Sequence, residues 1–205
     1  LNEQFDGDVP EIGIIVQGGI YNTLMRALRQ FGLADSYGKC RLSTLVMNVT
    51  YPMVPDEIAD FCVGKDAVLV VEEGQPEFIE QAINAILRKK DVNAKIIGKD
   101  VFPMAGEYTS EVMLKGVHGF LSNHAPAGLN VNTVLAEIDQ LFSDRDGARE
   151  ILGDGLPLRT PSFCTGCPER PIFSALKILE KELGPAHISA DIGCHTFAAL
   201  PPFNV

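Results

Sequence analysis

Within the first hundred residues, short apolar runs alternate with amphipathic stretches, and this alternation constrains the fold more than any other feature. Residues 11–16 are an apolar run bounded by Gly18-Gly19, as a buried strand and tight turn would be. Residues 21–31 place Leu24, Ala27, Leu28 and Phe31 on one helical face, and Gly32 supplies a stop. A second strand is predicted over 41–49. Pro52 and Pro55 then impose a loop, with Pro55 also suited to the first turn of a helix reaching residue 63. Residues 67–71 are continuously apolar, as a strand covered on both sheet faces must be. A helix over 76–90 carries the stripe Phe78, Ile79, Ala82, Ile83, Ile86 and Leu87, with acids first and Arg88-Lys89-Lys90 last. A fourth strand is predicted at 95–98. Strand–helix alternation of this kind predicts the α/β class: three αβα layers around a mostly parallel sheet.

Beyond residue 104 the pattern loosens. Helices are predicted over 107–120, where Gly116 and Gly119 weaken the pattern, and over 131–142. Residues 147–161 hold three glycines and two prolines and read as a linker, with Gly153-Asp154-Gly155 as a turn within it. A helix over about 169–183 and a strand over 187–191 follow. The domain boundaries expected from this pattern are 1–125 for the α/β domain, 126–160 for a helix and linker, and 161–205 for the opening of a second α/β domain.

Composition narrows the function classes. Lys plus Arg number 17 and Asp plus Glu 27, a net charge of −10 that repels phosphate backbones and argues against nucleic acid. No apolar run approaches the length of a membrane span, and no secretory signal opens the chain, which begins at Leu1. Five cysteines, an odd number with one close pair, fit a reducing, cytoplasmic setting better than a disulfide scaffold. Cys40 opens an apolar strand-like run and Cys62 lies in an amphipathic stretch, and both read as small buried hydrophobes.

Cys164-Thr165-Gly166-Cys167 is the strongest local motif. A thiol redox pair near a helix start, a zinc site completed by Cys194 and His195, an iron–sulfur site using Cys164, Cys167 and Cys194, and plain structural cysteines all remain open on spacing alone. Asp191-Ile192-Gly193-Cys194-His195 follows the last predicted strand, where α/β folds place ligands. Gly18-Gly19 lacks the rest of a phosphate-binding fingerprint and reads as a plain turn.

Together, Phe163-Cys164-Thr165-Gly166-Cys167-Pro168-Glu169-Arg170, the Ser189 to Thr196 segment and Ala198-Ala199-Leu200-Pro201-Pro202 resemble the start of the thiamine-binding domain of the indolepyruvate:ferredoxin oxidoreductase large subunits. Upstream, Val49-Thr50-Tyr51-Pro52-Met53-Val54-Pro55 and Val70-Val71-Glu72-Glu73 resemble the preceding domain of those subunits, which is similar to the C-terminal domain of transketolase. The resemblance implies an oligomeric enzyme that decarboxylates aryl 2-oxoacids, forms an acyl-coenzyme A and reduces ferredoxin, together with a smaller partner subunit or domain. It implies thiamine diphosphate with Mg²⁺, and a [4Fe–4S] cluster held by Cys164, Cys167, Cys194 and a later cysteine. Asp191, Gly193, Cys194 and His195 would then lie near the cofactor, with His195 catalytic. Glu169 stands where the family more often carries His. The resemblance also implies further segments before Leu1 and after Val205, and no activity for these 205 residues alone. The competing expectation is a non-catalytic α/β module with a zinc-binding or thiol-redox Cys-x-x-Cys segment.

Overall fold

The computed structural model of the chain describes residues 2–155, 161–190 and 192–205. It divides into two compact units, Leu1–Gly147 and Ala148–Val205.

The first unit is built on a five-stranded sheet. The strands are β1 (Glu3–Phe5), β2 (Val9–Gln17), β3 (Leu42–Met47), β4 (Ala67–Val71) and β5 (Lys95–Ile97), in the spatial order β1-β3-β2-β4-β5. β2 pairs in parallel with β3 and β4, β4 pairs in parallel with β5, and only β1 is antiparallel. Between them run α1 (Tyr21–Gln30), α2 (Pro55–Cys62) and α3 (Phe78–Lys89), followed by α4 (Ser110–His124) and α5 (Asn132–Leu152). The three-layer, mostly parallel expectation is met. Alternate side chains of each central strand go to opposite faces. Ile14, Val16, Leu69 and Val71 join α1 and α4 residues such as Leu24, Leu28, Met113 and Phe120 in one core. Ile15, Val68 and Val70 join Ile58 and Phe61 of α2 and Ile79, Ile83 and Leu87 of α3 in the other.

Local chemistry sets the helix ends. Thr109 accepts a hydrogen bond from the Val112 N–H at the start of α4, and Pro55 opens α2 ahead of Asp56 and Glu57. Gly32 (φ +68°) and Gly64 (φ +75°) follow α1 and α2 in the left-handed region that glycine tolerates. α5 is tied to α4 through Glu111, which is paired with Arg145 and, at 2.9 Å, with Lys115. Hydrogen bonds from Arg145 and then Lys115 hold the Glu111 carboxyl down to about 2.

Three features depart from the sequence-based expectations. β1 has no apolar alternation, and its pairing with β3 through Glu3 and Val46 creates it. α5 continues through Gly147 to Leu152, into the segment read as linker. One internal glycine costs a helix about 1 kcal/mol, which a 21-residue helix of good formers absorbs. The strand expected at 187–191 is also absent: residues 187–190 carry no regular structure, and Asp191 lies outside the described residues. Among the described residues the second unit offers no strand to share hydrogen bonds with it, and an unpaired strand is not stable in water.

The second unit holds α6 (Arg170–Leu183) and a 3₁₀ segment, Cys194–Ala199. Phe163, Phe173, Ala198 and Phe203 form its small apolar core. Phe163 stacks on Phe173, with centroids 5.3 Å apart, and meets Phe203 edge-on at 5.5 Å.

Candidate functional site

In parallel sheets, ligands collect beyond the carboxyl ends of the strands where successive crossovers diverge. Here the chain leaves β2 for β3 on one side and then places β4 on the other side of β2. A cavity of about 620 Å³ opens at that point, lined by Gln17 at the end of β2, Thr50, Tyr51 and Met53 after β3, and residues 72–76, Phe78, Ile79 and Ala82 around the β4–α3 connection.

Hydrogen bonds shape this connection. Glu72 is only 6% exposed, although it directly follows β4. Its carboxylate accepts the N–H groups of Ile79 (2.9 Å) and Glu80 (3.1 Å), filling the start of α3 with an anion from the chain itself. Gln17 Oε1 accepts the Glu73 N–H at 2.7 Å. Lys99 Nζ donates to the carbonyls of Glu72 (2.7 Å) and Gly74 (2.9 Å) and to Tyr108 Oη (2.8 Å). Burial pulls the Lys99 ammonium below the ordinary lysine value, against the opposing pull of Glu72 and Glu80. Burial pushes the Tyr108 hydroxyl up, and the carboxylates of Glu72 and Glu73 add to the effect. At the cavity, Tyr51 and Phe78 are 89% and 68% exposed, while Ile79 is buried. Sequence reasoning did not single out this cleft. The available signal was a Glu pair directly after a fully apolar strand, with a proline shortly before the next helix.

In the second unit, Cys164 and Cys167 lie on one tight turn. The Cys164 carbonyl accepts the Cys167 N–H at 3.1 Å, and Gly166 supplies the positive φ of +77°. α6 begins three residues later. Cys194 starts the 3₁₀ segment after Gly193, whose φ of +140° suits only glycine. His195 Nε2 lies 3.5 Å from Glu169 Oε1, and its ring meets Phe173 edge-on at 5.8 Å. Among the described residues, no three His, Cys, Asp or Glu side chains converge to hold one metal ion. Cys164, Cys167 and Cys194 therefore do not converge, among the described residues, on a single metal ion of the structural-zinc kind. Gly153–Gly155, expected to be a turn, is a single 3₁₀ turn. Asp191 cannot be placed with these groups, because it lies outside the described residues.

All five cysteines are free, and their surroundings divide them. Burial pushes the Cys62 thiol up to about 11 and raises that of Cys40, whereas Cys164 and Cys194 are exposed and Cys167 is partly so. Iodoacetamide at pH 8 should therefore modify Cys164 and Cys194 first and Cys167 next, leaving Cys40 and Cys62 to react only after denaturation. Peptide mass spectrometry against time checks this; labelling of Cys62 as fast as Cys194 would contradict it.

The comparisons with known proteins decide the family. The model of the indolepyruvate oxidoreductase domain matches residues 3–150. The chain belongs to that family. It is 31% identical over 195 residues to indolepyruvate oxidoreductase subunit IorA of Thermococcus kodakarensis, covering 95% of this chain and 27% of that subunit. With IorA of Methanothermobacter marburgensis it shares 30% over 210 residues, covering 100% and 29%. The chain thus spans little more than a quarter of the length of these relatives. Two solved structures show weaker likeness. One is a 2-oxoglutarate:ferredoxin oxidoreductase from Magnetococcus marinus (TM-score 0.39, 17% identity, 58% of this chain and 19% of that one). The other is a split-gene transketolase (TM-score 0.41, 14% identity, 60% and 42%). At those scores neither enters the argument, and the α/β class rests on the sheet itself. Membership of the indolepyruvate oxidoreductase family covers the first unit and most of α5. Among the described residues no helix is long and apolar enough to cross a membrane.

Proposed function

We propose that this chain is part of an enzyme that oxidatively decarboxylates aryl 2-oxoacids such as indolepyruvate, transferring the acyl group to coenzyme A and electrons to ferredoxin. The observation that carries the reading is the family match over residues 3–150, joined to relatives named indolepyruvate oxidoreductase that align along nearly the whole chain. Residues 161–205 are then the opening of a thiamine-diphosphate-binding domain, and the Mg²⁺ and diphosphate ligands come from elsewhere in the protein. The cofactor supplies the stabilised carbanion that decarboxylation of a 2-oxoacid requires. Within this chain, His195 is the residue proposed to hold or move a proton near the reacting carbon. Glu169 and the Phe173 ring orient its imidazole. In the same reading Cys164, Cys167 and Cys194, with a later cysteine, would hold a [4Fe–4S] cluster that carries electrons toward ferredoxin. A smaller partner subunit and a reducing, cytoplasmic setting belong to the same reading.

The test is an anaerobic assay of the full-length protein with its partner subunit, following viologen or ferredoxin reduction. Reduction should require both indolepyruvate and coenzyme A, and the 205-residue chain alone should give none. Full-length protein that reduces no acceptor with any aryl 2-oxoacid would overturn the proposal, as would turnover by the 205-residue chain.

A further inference from the structure

We propose that the cleft at the ends of β2, β3 and β4 is a binding site for a neutral or cationic aromatic molecule, and that it rejects anions. This goes beyond the enzymatic reading and does not rest on it. A 2-oxoacid, coenzyme A and a diphosphate are all anionic, so the site is separate from the handling of those groups.

Size and place come first. About 620 Å³ falls in the range of small-molecule sites, and the cleft sits where the crossovers of a parallel sheet diverge. In such folds the ligand is often an anion, held by the free N–H groups of the next helix. Here that position is filled from within. The Glu72 carboxylate, buried beneath the cleft, takes the N–H groups of Ile79 and Glu80. Another N–H of the lining, that of Glu73, is taken by Gln17. Among the described residues no Lys, Arg or His lines the cavity, while Glu72 and Glu73 both do. An incoming carboxylate or phosphate would therefore lose its water and find no cation in the lining beside the two carboxylates, since Lys99 lies behind the connection and is already engaged by the Glu72 and Gly74 carbonyls.

What the lining does offer is apolar surface and ring faces. Met53, Ile79 and Ala82 give an apolar wall for a flat ring. Phe78 and Tyr51 are strongly exposed beside it, and their faces attract a cation. Thr50 adds a hydroxyl that can accept a hydrogen bond from the ligand's N–H. The arrangement selects an aromatic body bearing no charge or a positive one.

Indole, tryptamine and indole-3-acetate share one ring and carry charges of 0, +1 and −1 near neutral pH. Binding of each to the 205-residue chain, followed by ligand-observed NMR and calorimetry, should show indole and tryptamine bound and indole-3-acetate at least about tenfold weaker than tryptamine. Ala82→Trp, which fills the cavity, should abolish binding; if that variant does not fold, Tyr51→Ala on an exposed side chain should weaken tryptamine binding instead. Glu72→Gln removes the internal charge and should lower the tryptamine to indole-3-acetate ratio. No binding by indole and tryptamine, a ratio below tenfold, binding unaltered in the folded cavity variant, or an unchanged ratio in Glu72→Gln each overturns the proposal. None of these readouts involves turnover, so failure here is distinguishable from failure of the enzymatic assay.

Discussion

Gly116→Ala should destabilise the protein by about 1–3 kcal/mol, although alanine is the better helix former. A Cβ built at Gly116 would lie 2.0 Å from Cε1 and 2.4 Å from Cζ of Phe102. That ring has nowhere to go. It is 3% exposed and stacked on Tyr108 with centroids 5.0 Å apart, and Tyr108 is in turn held by Lys99 and by the Pro103 carbonyl. Either α4 shifts outward or the stack opens, and both outcomes uncover apolar surface. Two other glycines act as controls. At Gly119, in the same helix, the new Cβ meets only the Val101 side chain, 3.3 Å from Cγ1 and 3.5 Å from Cβ, and at Gly147 in α5 nothing lies within 4 Å. Gly147→Ala should stabilise by about 0.5–1 kcal/mol through helix propensity, and Gly119→Ala should fall near neutral. Urea unfolding of the three variants measures the contrast. A Gly116→Ala variant as stable as the parent would mean that the Phe102 contact is not tight.

Gly116 also marks where sequence reading stops. Its spacing announces a weak helical position; only the long-range approach of Phe102 shows that the weakness is required. The same division runs through the fold. Ala67–Val71 declares a strand covered on both faces because five apolar residues in a row leave no solvent side, and the structure sends Leu69 and Val71 one way and Val68 and Val70 the other. β1 is illegible for the opposite reason: Glu3, Gln4 and Phe5 have no pattern of their own and become a strand only by pairing with β3. Residues 187–190 carry strand-like composition, but composition cannot supply a neighbour.

The candidate site divides similarly. The Cys-x-x-Cys spacing gives the turn at Gly166, because a local bond and one positive φ suffice to make it. Whether Cys194 joins that turn depends on residues thirty positions apart, and spacing does not determine it. The cleft is harder still. Glu72 and Glu73 look alike in the chain, but one is buried as the anion at the start of α3 and the other is half-exposed beside Tyr108. The difference is made by Ile79 and Glu80, whose N–H groups need an acceptor at that one point.

Lys99→Met should then loosen the cleft from behind. The substitution keeps the apolar stem and removes the ammonium. The three closest acceptors lose their donor: the carbonyls of Glu72 and Gly74 and the Tyr108 oxygen. Water can reach part of this site, since Lys99 is half-buried, so the cost is less than the sum of three bonds to a charged donor. A loss of about 2–3 kcal/mol is expected, the scale of one or two such bonds. The charge matters beyond its bonds. Glu72, Glu73, Glu77 and Glu80 all act on Lys99, and without it these carboxylates repel one another across the connection from β4 to α3. Unlike the damage at Gly116, which is centred on α4, this loss should be centred on that connection and on the Tyr108 contact. Hydrogen exchange should therefore accelerate at Gly74 to Glu80 while the amides of β2 and β4 keep their protection. Tryptamine binding should weaken along with it, because the residues that lose their anchor include those that line the cavity. Unchanged exchange at Gly74 to Glu80 in a folded Lys99→Met variant would show that Gln17 and the Glu72 cap hold the connection without it.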